Sequence, residues 1–199
     1  MKKISLITIT VFVMFSIATK VNAQHEKGEI QIDLYHGLPP HTGIIFRAIS
    51  SASADETVEV KTLGNLGLRF QYYLAPNFAL GVDANYTSRS AEFVESSTGY
   101  EENIQQTVIR AMVRTSWEFL KAGGFEMNWN NSIGYRAAGW DWTDTDPNGT
   151  INDDWSGGAK IAFRSALGFR YMFTENIGLN LEVGVLGGSF LNGGLTIGL

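Results

Sequence analysis

Two sets of residues could do chemistry. The first is a run of oxygen donors at 144–154, DTDPNGTINDD. Asp144, Asp146 and Asn148 alternate along it, Gly149 stands at the sharp turn, and the Thr150 carbonyl follows. Alternate residues of a tight loop point at one centre, and this is the first half of the spacing an EF-hand calcium loop uses. Trp155 stands where the closing glutamate belongs, and Asp153 and Asp154 are out of register for it. The competing reading is an exposed acidic loop built on an Asp-Pro-Asn-Gly turn. Calcium is the only cofactor this chain suggests.

The second set is Asp33, Arg69, Asp83, Arg110, Arg114, Glu118, Glu126, Arg136, Arg164, Arg170 and Glu182. Each falls on the polar side of an alternating segment. Positive and negative signs nearly balance, and the positive ones are arginines, which suit paired sites of low dielectric. The chemistry expected of them is mutual: salt bridges and hydrogen bonds that fill an interior. A hydrolytic centre is not expected. The chain has three histidines, His25, His36 and His41. Ser50, Ser51, Ser53 and Asp55 follow the last two, but no strand–turn–helix motif presents a nucleophile. With no cysteine, disulfides, thiolate metal sites and a lipoprotein anchor are excluded.

The elements that must position these charges are strands. Residues 65–86 read NLGLRFQYYLAPNFALGVDANY. Leu66, Leu68, Phe70, Tyr72 and Leu74 share one face, and Gly67, Arg69, Gln71 and Tyr73 the other. After an Ala75-Pro76-Asn77 turn, Phe78, Leu80, Val82, Ala84 and Tyr86 oppose Ala79, Gly81, Asp83 and Asn85. Alternation with period two is a β-hairpin with one apolar and one polar face. The same pattern predicts strands at 29–36, 104–120, 125–140, 159–173, from 177 onward, and 195–199, with the hairpin's second strand running to 95. Eight strands result. Residues 41–64, 96–102 and 141–158 read as long loops, the first with short strand extensions around 43–49 and 57–61 or a separate hairpin as its alternatives, and 75–77, 121–124 and 174–176 as tight turns.

The apolar faces carry almost no charge, and aromatic residues gather near strand ends. Tyr72, Tyr73, Phe78, Trp117, Phe119, Phe125, Trp129, Tyr171 and Phe173 lie near the short turns; Tyr86, Tyr100, Tyr135, Trp140, Trp142 and Trp155 lie near the long loops. Two such girdles suit the two interfaces of a bilayer. In hydrocarbon every backbone group must be bonded internally, so a closed barrel is permitted and an open sheet is not. The expected fold is all-β: a closed antiparallel eight-stranded transmembrane up-and-down barrel.

The first residues, MKKISLITITVFVMFSIATKVNA, have a basic start, an apolar stretch and small residues before Gln24. They read as a cleaved signal peptide at 1–23, leaving a barrel domain at 24–199. Without the three lysines of that segment, 15 basic residues become 12 against 20 acids, a net charge of −8. An acidic chain is ill suited to nucleic acid.

The segment GLRFQYYLAPNFALGVDANY, the aromatic-ended strands and the terminal GGLTIGL resemble the small outer-membrane barrels of Gram-negative bacteria, the OmpX-, OmpW- and OmpA-type class. That family commonly ends in an aromatic residue; here Leu195, Ile197 and Leu199 keep the alternation and Leu199 takes the aromatic's place. The resemblance implies a monomer in the outer membrane, with long loops extracellular and both termini periplasmic. Implied partners are membrane lipid, lipopolysaccharide, periplasmic chaperones and the barrel-insertion machinery. Two roles stand open: a structural or surface-interaction protein with a filled lumen, or a narrow porin for small solutes or ions.

Overall fold

A computed structural model describes residues 25–38, 56–95, 101–144, 153–158 and 160–199. The strands are β1 (Ile30–Gly37), β2 (Glu56–Ala75), β3 (Phe78–Glu95), β4 (Glu101–Ala122), β5 (Phe125–Asp144), β6 (Asp153–Ser156), β7 (Ile161–Met172), β8 (Ile177–Leu186) and β9 (Leu191–Gly198). Each long strand pairs antiparallel with the next, and β1 pairs with β9, so the sheet closes on itself. β6 lies in line with β7: both pair with β5, β7 from Phe125 to Tyr135 and β6 from Gly139 to Trp142. The ring therefore has eight staves, one of them interrupted.

Burial is inverted relative to a water-soluble fold. The largest fully buried side chains include Arg69, Arg164, Gln31, Gln71, Glu126 and Glu182, while Ile133 is 59% exposed and Trp129 58%. Apolar residues facing out and charges facing in is the arrangement a hydrocarbon surround favours. Three neighbouring outward residues break the apolar belt. Thr115, Asn131 and Ser165 stand side by side in register across β4, β5 and β7. They are satisfied locally: Ser165 donates to Asn131 Oδ1 (2.9 Å), and Trp129 Nε1 donates to Ser165 Oγ (3.0 Å).

Several expectations are corrected here. Residues 56–64 are strand, not loop, and carry β2 past a bulge between Thr62 and Gly64. Gly64 takes a φ of 76° there, and Lys61 lies within the strand rather than at an end. β5 runs on to Asp144 and β6 occupies part of what read as the third loop. β9 begins at Leu191, four residues early. Beyond the bilayer both faces of a strand meet water, so the alternation that marks a strand fades there. Tyr73 belongs to no girdle: it is fully buried and points inward.

The staves differ greatly in height. β2 to β5 have 20, 18, 22 and 20 residues, whereas β1, β7, β8 and β9 have 8, 12, 10 and 8. About 9 to 11 residues cross a bilayer. The surplus makes one side of the barrel a four-stranded wall rising past the loop end.

Candidate functional site

Strand parity brings the polar residues into the lumen, where they form three storeys. The middle one is a knot on Glu182 of β8. Its Oε1 accepts from Arg69 (3.0 Å) and Arg164 (2.7 Å), and its Oε2 from Arg114 (2.6 Å) and Asn130 (3.2 Å). Arg69 also donates to Asp83 (3.0 Å), opposite it on β3. Asn192, with its amide oxygen turned inward, accepts from Arg69 (3.0 Å) and Arg164 (2.9 Å). Tyr35 donates to Asp83 (2.7 Å), and Arg69 lies 3.8 Å over its ring. The ring covers Gly67 across the β1–β2 pair, where an added Cβ would come within 2.0 Å of it. Contacts from β2, β4, β5 and β7 thus meet at one carboxylate, and β3 and β9 join the knot through its arginines.

At the short-turn end, Arg170 donates to Glu126 (2.8 Å) and lies 3.6 Å from Glu118 and 3.8 Å from Asp33. Tyr73 donates to Glu118 and to Gln31, and Thr196 of β9 donates to Asp33. His25, ahead of β1, folds across this mouth. Its ring stacks on Tyr73 at 3.9 Å.

The loop-end storey is richer in cations. Arg110 stands opposite Arg136 in register, and its guanidinium donates to Asn85 (3.1 Å) and Thr87 (3.5 Å). Arg89 of β3 donates to Gln106. Arg110 was expected to share a salt bridge; neutral oxygens hold it instead, because no acid stands at its register positions on β3 or β5.

Interior parity thus collected the eleven sequence-selected residues into one lumen. It also collected Gln71 and Tyr73, already read on the polar face, and Tyr35, Gln31 and Asn130, which share the inward parity; Asn192 lay in the connection ahead of the expected last strand and had no parity to be read from. His25 and Lys121 had no such signal, because they lie in a lead-in and beside a turn. Of the candidate calcium residues, Asp146, Asn148 and Thr150 lie outside the described residues, as do His41, Ser50, Ser51, Ser53 and Asp55. Asp144 ends β5, opposite Glu102. His36 is structural: its Nε2 meets the Leu63 carbonyl at 2.7 Å.

A family model described as "Outer membrane protein beta-barrel domain" matches residues 36–191. The chain belongs to this family. As an outer membrane β-barrel it has its place in the bacterial outer membrane, and it crosses that membrane on strands. Among solved structures it is similar to the outer membrane protein OprG from Pseudomonas aeruginosa, at 13% identity over 89% of this chain and 98% of that one, TM-score 0.48. The Escherichia coli outer membrane protein W gives 16% identity over 87% and 98%, TM-score 0.44. The N-terminal β-barrel domain of Pseudomonas aeruginosa OprF gives 12% over 87% and 98%, TM-score 0.45. No curated protein sequence matches the barrel significantly.

Proposed function

We propose that this barrel is a surface-interaction protein with a filled lumen, whose tall wall meets cationic partners outside the cell. One observation carries the reading. At the loop end, acids stand opposite acids across neighbouring strands: Glu56 and Glu95, Glu59 and Glu92, Glu102 and Asp144, Asp141 and Asp154. Like charges directly opposite destabilise a sheet. Lys61 answers one such pair, lying 3.5 Å from Glu59 and 3.3 Å from Glu92. A wall that holds four of these registers is suited to divalent ions bridging it to lipopolysaccharide, or to a basic surface on another cell. The knot at Glu182 supports the same reading, since it leaves the lumen to structure rather than transport.

In this reading residues 1–23 are a signal peptide, the short turns and both termini are periplasmic, and the wall is extracellular. The barrel works as a monomer. Periplasmic chaperones and the insertion machinery handle it during biogenesis. The test is adhesion of outer-membrane vesicles carrying the barrel to lipopolysaccharide-coated and basic surfaces, with and without Mg²⁺. Neutralising Glu95, Glu102 and Asp141 together should abolish the Mg²⁺-dependent part. Adhesion that is unchanged by the substitutions would sink the idea.

A narrow conduit is the second reading, and one observation favours it. Inward atoms such as Gln31 Nε2, Gln71 Nε2, Ser116 Oγ and Ser132 Oγ are buried without a protein hydrogen-bond partner. Buried polar atoms of this kind are commonly met by water, and a file of water can carry small ions. Stepwise conductance of the wild-type barrel in a planar bilayer would support the conduit; silence would retire it.

A further inference from the structure

The short-turn mouth holds three metal-ligating side chains that salt bridging does not fully account for. His25, Glu118 and Glu126 place one ligand atom each within 4.8 Å of one another. His25 Nε2 lies 3.0 Å from Glu126 Oε1 and 3.5 Å from Glu118 Oε1. Apart from this mutual approach, neither Nε2 nor Glu126 Oε1 has a hydrogen-bond partner, although Glu126 is fully buried and aimed at the ring. Nitrogen and carboxylate ligands bind zinc at about 2.0 to 2.2 Å, so ligand atoms around a tetrahedral ion stand about 3.4 Å apart. The two separations from Nε2 bracket that figure. The third edge, between the two carboxylates, is within 4.8 Å.

The surroundings are those of a metal-binding histidine. Its other nitrogen, Nδ1, lies 2.6 Å from Glu29 Oε2. A carboxylate on Nδ1 fixes the tautomer that turns the Nε2 lone pair to a metal. Arg170 and Lys121 occupy the outer oxygens, Glu126 Oε2 at 2.8 Å and Glu118 Oε2 at 2.5 Å. Tyr73 and Arg170 also approach Glu118 Oε1. Charge points the same way. Glu29, Asp33, Glu118 and Glu126 face Arg170 and Lys121, which leaves two negative charges at the mouth. A divalent ion cancels both, whereas a single imidazolium cancels one. Mixed nitrogen and carboxylate ligands suit zinc and its transition-metal neighbours better than calcium or magnesium.

We infer that His25, Glu118 and Glu126 form a zinc-class divalent metal site that pins the amino-terminal segment across the mouth of the barrel. This site is distinct from the acidic wall and does not depend on the role proposed for it. The test uses tag-free barrel purified from outer membranes in detergent micelles and stripped with chelator. Titration with Zn²⁺ should show one saturable site, and Co²⁺ should give the visible absorption of a tetrahedral ion. E29Q should weaken Zn²⁺ by about 10- to 100-fold, the range for losing a ligand's carboxylate partner. H25F, which still stacks on Tyr73, should lose the site, and H25C should recover part of it. His25 precedes every strand, so both variants should keep the heat-modifiable gel shift of a folded barrel. Zn²⁺ affinity equal in H25F and the parent, or no saturable binding by the parent, would overturn the assignment.

Discussion

Glu182 receives three guanidinium groups on two oxygens while almost wholly buried. Removing one partner of a buried ion pair leaves the others uncompensated, at about 3 to 5 kcal/mol. E182Q should therefore lower the urea midpoint of the refolded barrel sharply, and it should give stepwise conductance in a planar bilayer if the knot is what closes the lumen. A silent, stable variant would mean the closure lies elsewhere. At Gly67, a methyl group must displace the Tyr35 ring, so G67A should cost about 1 to 3 kcal/mol by overpacking; the same urea titration reads it. His25 gives a pH signature. Burial opposes its charge, but the hydrogen bond and charge of Glu126 and the charge of Glu118 outweigh burial and the repulsion of Arg170, so its pKa is raised above 6.5. In chelator-treated barrel the resulting stabilisation is present below pH 6.5 and is lost as pH rises through the raised value. Urea midpoints measured at about pH 5 and pH 9 should differ in the parent by more than in H25F. Tyr35 and Tyr73 were legible from parity alone, since each stands two residues from Asp33 or Gln71 and so shares its face. His25 was not, because a lead-in has no period and its partners lie 93 and 101 residues away in Glu118 and Glu126.

The strands were legible where lipid touches them and illegible above it. Leu66 to Leu74 alternate cleanly because one face meets hydrocarbon and the other the lumen. Thr57 to Lys61 belong to the same strand, yet only Val58 and Val60 alternate there, and the bulge at Thr62 and Gly64 separates that short signal from the hairpin's. One loop is accordingly shorter than its reading: 96–100 connects β3 to β4, where 96–102 read as loop. Within the membrane span Thr115, Asn131 and Ser165 interrupt the apolar face without ending a strand, and the strands read at 104–120, 125–140 and 159–173 run across them. Their cluster is satisfied but not required. Replacing both partners of a hydrogen bond with apolar groups of similar shape is close to neutral, and lipid rewards apolar surface. The triple variant W129F/N131L/S165A should keep the parent's urea midpoint or raise it, whereas S165A alone, which strands both the indole N–H of Trp129 and the side-chain oxygen of Asn131, should lower it. Midpoints that order the other way would show that the cluster serves more than its own satisfaction.

As a whole the molecule is a ring whose two ends meet. Its up-and-down order was readable because every connection joins neighbours, so counting strands also counted staves. What could not be read is how the ring is made unequal, with a wall on β2 to β5 and a low rim on the remaining staves. The closing pair is β1 with β9, where Ile32 stands opposite Ile197. Every other seam joins strands that are consecutive along the chain, counting β6 and β7 as one stave. Deleting residues 192–199 should therefore leave two unpaired edges in hydrocarbon and no heat-modifiable band, although the hairpins remain intact in sequence. The same seam has a consequence in time. Its partners are 165 residues apart, so the chain must emerge as far as β9 before the first strand finds its second neighbour. Hairpins can form early and locally, but closure waits on the last strand to be delivered and pays the slow entropy of a long loop. For this barrel, assembly is a race that β9 decides, and anything that holds the nascent chain unpaired until it arrives sets the yield.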